Sequence, residues 1–115
     1  MATRAAVEEF LDTFKAAMDF GRIEVKDRPK NINALVDLGI TPNQRIRILK
    51  GLSVENYRSG PEEDVTEQGK TVWLFSYDLD GIEVYIKLRL DPPEKPGRPH
   101  LAIVWSFHRS GLHDE

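Results

Sequence analysis

Residues 81–90, GIEVYIKLRL, place Ile82, Val84, Ile86, Leu88 and Leu90 at every second position, with Glu83, Tyr85, Lys87 and Arg89 between them. A period of two over this length predicts a strand with one face in a core and the other carrying an acid, a phenol and two cations. Upstream, KTVWLFSYD (70–78) has the β-branched and aromatic composition of a second strand, and the intervening LDG closes a hairpin. Downstream, DPPEKPGRP (91–99) is too rich in proline to continue as strand or helix, and HLAIVWSFH (100–108) reads as a third strand. Trp73, Phe75, Trp105 and Phe107 alternate on the two flanking strands and are expected in the core.

The first half of the chain has a different period. In TRAAVEEFLDTFKAAMDF (3–20), Val7, Phe10, Leu11, Phe14 and Met18 recur at helical spacing, and Gly21 stops the helix. RIEV (22–25) is a short possible strand, KDRPKN (26–31) a turn-rich connection, and Asn31 to Leu38 a short helix closed by Gly39. Thr41, Pro42, Asn43 and Gln44 form a capping box with proline at the first helical position, starting a helix that runs to about Leu49 or Lys50. Ser53 can cap one more turn, SVENY. Gly60 and Pro61 then break the helix, and GPEED (60–64) is expected to be a solvated loop rather than a magnesium site.

These elements predict one α+β domain over 1–115: N-terminal helices packed on a C-terminal antiparallel sheet of three strands or slightly more, with a short polar tail from about residue 110. The strand 82–90 is expected at the centre of the sheet, with Val7, Phe10, Leu11 and Phe14 meeting Ile82, Val84, Ile86 and Leu88. With no cysteine, the chain has no disulfide, zinc-thiolate or thiol-nucleophile chemistry. No apolar run approaches the ~20 residues of a membrane span, and the N-terminus lacks a signal-peptide pattern, so a cytoplasmic location is expected.

The net charge of −3 argues against a constitutive nucleic-acid binder, yet its distribution is uneven. Residues 60–70 hold four acids against one lysine, whereas 29–58 hold Lys30, Arg45, Arg47, Lys50 and Arg58 against Asp37 and Glu55. Arg45, Arg47 and Lys50 cannot all share a helical face with the core residues Ile46 and Leu49. They form an exposed basic edge that meets RNA, a protein partner or neither.

LGITPNQRIRILKGLSVENYRS (38–59), TVW (71–73), GIEVYIKL (81–88) and SFH (106–108), in this order and spacing, resemble the MqsR family of bacterial toxin–antitoxin ribonucleases, which share the RelE-type α+β fold. The resemblance covers about residues 35–109. It implies a type II toxin that cleaves mRNA without metal or other cofactor, restrained by a cognate antitoxin that carries a helix-turn-helix DNA-binding domain. It puts the family's active lysines at Arg58 and His108 and its active tyrosine at Tyr85, with Lys87 beside it, and Leu74 stands where the family representative has a glutamine after the strand tryptophan. Arg45, Arg47, Arg89 and Arg109 are then the expected RNA contacts. The alternative within the fold is a noncatalytic protein that acts by binding an antitoxin or regulator.

The residue types suit that chemistry. Strand cleavage through the 2′-hydroxyl needs a base, an acid for the leaving 5′ oxygen, and donors for the charge on phosphorus. His108 has a side chain with an ordinary pKa of ~6.5 and suits proton transfer. Arg58 offers a planar, permanently charged fork for phosphate, and Tyr85 a hydroxyl donor. Outside the resemblance, Tyr85 and Lys87 read as an ordinary solvated strand face, and His108 as a surface or capping residue.

Overall fold

A computed structural model describes residues 1–111. Helix α1 (Arg4–Asp19) starts at Thr3, whose hydroxyl accepts from the Ala6 amide at 3.1 Å, and buries Val7, Phe10, Leu11, Phe14, Ala17 and Met18. Strand β1 (Ile23–Val25) follows, then α2 (Pro29–Leu38) and α3 (Pro42–Lys50). The start of α3 is the capping box read from the sequence: Thr41 and Gln44 exchange hydrogen bonds of 3.1 and 2.7 Å. A 3-10 turn (Val54–Asn56) leads into β2 (Tyr57–Glu63), β3 (Thr71–Leu79), β4 (Ile82–Asp91) and β5 (Leu101–Arg109).

The strands form one mixed sheet in the order β1-β5-β4-β3-β2, so β4 is central as expected. Val84, Ile86 and Leu88 share a core cluster with α1, and Phe10 stacks on Trp73 at 4.5 Å between ring centroids. Two strands extend the expected three. β1 pairs with β5 in parallel, and β2 pairs with β3 across two register shifts. The segment holding Gly60 and Pro61 is therefore an irregular edge strand rather than a loop. Bulges let an edge accommodate proline, which has no amide to donate.

Past β1, the exposed edge of β5 is closed by a side chain. Asn31 of α2, 2% exposed, donates to Lys26 O at 3.0 Å and to Trp105 O at 2.9 Å, and accepts from the Phe107 amide at 2.9 Å. A single amide thus continues the ladder that β1 begins, since a primary amide offers the same donor and acceptor as a peptide group. This contact fixes α2 beside the end of β5.

A bulge in β5 changes one core assignment. Leu88 pairs with Val104 but Lys87 pairs with Ser106, leaving Trp105 as the extra residue. Its ring turns away from the α1 core toward cations, lying 5.4 Å from the Arg28 guanidinium, 5.5 Å from that of Arg89 and 5.9 Å from Lys26 Nζ. Phe75 and Phe107 are fully buried and Trp73 half-buried, as the alternation predicts, but Trp105 is not a core residue.

The expected solvated loop is also corrected. Asp64, at the end of GPEED, is 5% exposed and accepts from Arg89 Nη1 at 3.0 Å, as well as from the amides of Thr66 and Glu67. The β2–β3 connection folds over the outer face of the sheet and closes on Arg89.

Candidate active face

The outer face of β4 carries Glu83, Tyr85, Lys87 and Arg89, opposite the apolar set. Register places Tyr85 between Ser76 of β3 and His108 of β5, and Lys87 between Leu74 and Ser106. The Tyr85 and His108 rings stack with centroids 5.4 Å apart and planes inclined by 29°. Ser106 Oγ accepts from Arg28 Nη1 at 2.9 Å, and the same nitrogen donates to Trp105 O at 3.1 Å. A phenol, an ammonium, a guanidinium and an imidazole therefore share one patch built on neighbouring strands. Such placement is more rigid than loops provide.

His108 is 1% exposed and lies behind Tyr85. Its Nδ1 is 3.0 Å from Arg109 O, and because a carbonyl only accepts, this contact is made with a proton on Nδ1. The burial keeps His108 from direct contact with a polymer lying on the face, where an exposed strand end was expected.

Glu83 is the exposed carboxylate of the patch. Its Oε2 accepts from Ser76 Oγ at 2.8 Å, and that bond, a second hydrogen bond from Ser110 and the charge of Arg58 hold its carboxyl below the ordinary glutamate pKa. Arg58 is itself exposed on β2, where Nη1 donates to Glu55 O at 3.2 Å and Tyr57 O at 2.9 Å. Arg58 thus reaches the Glu83 end of the patch from across β3.

The expected RNA contacts fare differently. Arg89 is 2% exposed and bound by Asp64 Oδ2 at 3.0 Å, by both oxygens of Asp91 at 2.9 and 3.2 Å, and by Glu67 at 3.4 Å. It is a structural cation and not a phosphate contact, because its carboxylates already saturate the guanidinium fork. Arg109 is half-exposed and pairs with Asp37 at 3.1 Å. Arg45 is half-buried in a cleft with Ile32 and Leu35, and burial lowers its pKa; Arg47 is exposed elsewhere on α3. The structure gathers Tyr85, Lys87 and His108, with Arg58 nearby, and does not gather the α3 arginines with them.

Two residues enter that the sequence reading had not marked, Arg28 and Glu83. Arg28 precedes Pro29 at the start of α2, and only the fold of α2 against β5 brings it to Ser106. Glu83 was visible in the alternation, on the same side as Tyr85, but its hydrogen bonds to Ser76 and Ser110 were not.

Clefts of about 470 and 550 Å³ lie against α1, the first lined by Glu8, Lys15 and Glu55 and the second by Phe10, Trp73 and His100; neither includes Tyr85 or Lys87. The polar patch is a face rather than a pocket, a shape suited to an extended polymer. Among the described residues, no group of three or more His, Asp or Glu converges as metal ligands, and no helix is long and apolar enough to cross a membrane. The class these observations define is an α+β domain with a cationic, aromatic sheet face. No family model, curated protein or solved structure matches the chain.

Proposed function

We propose that this face binds single-stranded RNA and cleaves it without metal, and that the chain is the toxin half of an MqsR-like toxin–antitoxin pair acting on mRNA in the cytoplasm. The observation that carries the reading is the Tyr85–His108 stack with Lys87 on the same strand face. Glu83, ionised and exposed, takes the proton of the 2′-hydroxyl. The 2′ oxygen attacks phosphorus, the bond to the 5′ oxygen breaks, and Tyr85 supplies the proton that oxygen needs. The products are a 2′,3′-cyclic phosphate and a 5′-hydroxyl. Lys87 and Arg58 hold the non-bridging oxygens as charge grows on them. His108 holds the phenol in place.

The test is single-turnover cleavage of a mixed-sequence RNA by the purified chain. Tyr85→Phe and Arg58→Ala should each lower the rate ~10²-fold or more. His108→Phe, which keeps an aromatic ring under Tyr85, should retain most activity, whereas His108→Ala should not. An acid limb of the pH–rate profile below the ordinary carboxylate range supports Glu83, and one near ~6.5 assigns the base to His108 instead.

The burial of His108 favours a second reading, in which the face is a noncatalytic docking surface for an antitoxin or regulator. RNA left uncut by the wild-type chain, with a partner still bound at Tyr85 and Lys87, would select it.

A further inference from the structure

The proline-rich connection from β4 to β5 carries a turn with a cation at each end. Lys95, Pro96, Gly97 and Arg98 match a type II turn, with proline second, glycine third at φ +82°, and the Arg98 amide 3.4 Å from Lys95 O. The first and fourth residues of such a turn lie within about 7 Å, so an ammonium and a guanidinium spring from neighbouring points of a stiffened backbone. Arg22 faces them across a cleft of about 250 Å³ lined by Arg22, Glu94, Lys95 and Arg98. All four residues are exposed, and the walls present more nitrogen and oxygen than carbon. None of the three cations has a carboxylate partner among the described residues. Three cations against one carboxylate leave a net charge of +2, a concentration of like charge that an anion relieves.

The cleft stands at one end of a row of cations. Ile23 and Val25 pack on the core, so the alternate residues Arg22, Glu24 and Lys26 take the opposite side, which is the side of the sheet that carries Tyr85. Arg22 O accepts from the Ala102 amide at 2.9 Å, and the Lys26 amide donates to Val104 O at 3.0 Å. Arg28 then reaches Ser106, the register partner of Lys87, and Tyr85 pairs with His108. Glu24, bound to Lys26 at 2.9 Å, is the acid of this row. Cations therefore accompany β5 from residue 102 toward residue 108, a distance of ~20 Å at ~3.3 Å per residue. We propose that the cleft of Arg22, Lys95 and Arg98 holds a backbone phosphate of the RNA strand whose scissile phosphate lies at Tyr85, about six stacked nucleotides away at ~3.4 Å each. The subsite rests on the reading of the Tyr85 face as an RNA-binding face, and not on cleavage there.

The experiment compares the binding of a trinucleotide and a dodecanucleotide to the full chain by fluorescence anisotropy, with 2′-O-methyl groups on both strands to block cleavage. The trinucleotide is too short to span from Tyr85 to the cleft, so the wild type should bind the dodecanucleotide at least tenfold more tightly. Combining Arg22→Gln, Lys95→Gln and Arg98→Gln, all at exposed positions, should abolish that gain and leave the trinucleotide affinity unchanged. The slope of log affinity against log salt for the long strand should fall by ~2, as expected for three lost phosphate contacts on a single strand. The same loss of charge at Arg4, Arg47 and Lys50 should leave the advantage of the long strand intact. Lys87→Gln should weaken both lengths alike. A dodecanucleotide affinity that survives in the cleft variant, or falls as far in the Arg4, Arg47 and Lys50 control, would overturn the subsite while the Lys87 variant still reports on the Tyr85 face. If Lys87→Gln leaves both affinities intact, the reading of that face fails and takes the subsite with it.

Discussion

Replacing Asn31 by alanine should destabilise the fold by ~2 kcal/mol, because one buried amide loses its partner, at about one to three kcal/mol, and two carbonyls each lose one of two donors. The accounting is local. Asn31 serves Lys26 O, Trp105 O and the Phe107 amide, and of these Lys26 O keeps the Arg28 amide and Trp105 O keeps Arg28 Nη1 as a second donor. The Phe107 amide alone is left without a partner. For a domain of this length the loss corresponds to a fall in melting temperature of about 8 °C. Urea unfolding followed by the fluorescence of Trp73 and Trp105 measures it. Hydrogen exchange at Phe107 should quicken in parallel. Asn31→Asp should be at least as harmful, since it keeps the acceptor but turns a carboxylate toward two carbonyls. A loss below ~1 kcal/mol for alanine, or wild-type stability for Asn31→Leu, would refute the view that this amide closes the edge of β5.

Asp64→Ala should cost about 2–4 kcal/mol in urea, toward the low end for a broken buried pair because Asp91 and Glu67 still hold Arg89. The Asp64 pKa is lowered: burial alone would raise it, but the Thr66 amide, Arg89 and the Glu67 amide outweigh that. Its contribution is therefore present above the unfolded carboxylate pKa and lost as pH falls through the folded value. Wild-type stability should drop more steeply in acid than that of Asp64→Asn, and parallel pH profiles would count against the pairing. Gly60 has φ +113°, and an added Cβ would meet Val72 O at 2.8 Å, so Gly60→Ala should lose ~2 kcal/mol or more, read from the urea midpoint. Phe10→Ala, which removes a ring stacked on Trp73 and near Phe75, should cost about 3–5 kcal/mol in the same assay.

What could be read from the sequence was what local patterns encode. The helix α1, the Thr41 capping box, the hairpin and the apolar face of β4 each follow from periodicity or turn chemistry within a few residues. Elements defined by distant partners could not be read that way. YRSGPEE lacks alternation and becomes strand only because β3 is beside it; RIEV reads as a short possible strand, but its parallel pairing with residues 102–104 leaves no local mark. At the site, alternation placed Tyr85, Lys87 and Arg89 on one face but could not show what covers each of them. The acidic segment descends on Arg89, while Tyr85 covers His108. A one-residue bulge moved Trp105 from the core to the cations, a shift that leaves no mark in composition.

The Asn31 contact and the parallel β1 pairing give β5 an unusual place in the order of assembly. It follows in sequence every element it joins, yet β4, β1 and α2 all complete their pairing on it. Contacts spanning over seventy residues, such as Asn31 to Trp105, must form against the full entropy of closing that loop, which slows folding relative to local contacts. During synthesis α1, α2 and the β3–β4 hairpin emerge first and wait with their shared edge unpaired. The patch of Tyr85, Lys87 and His108 is incomplete in that interval, because His108 arrives with the strand that locks the rest. No partly made chain can display the whole face.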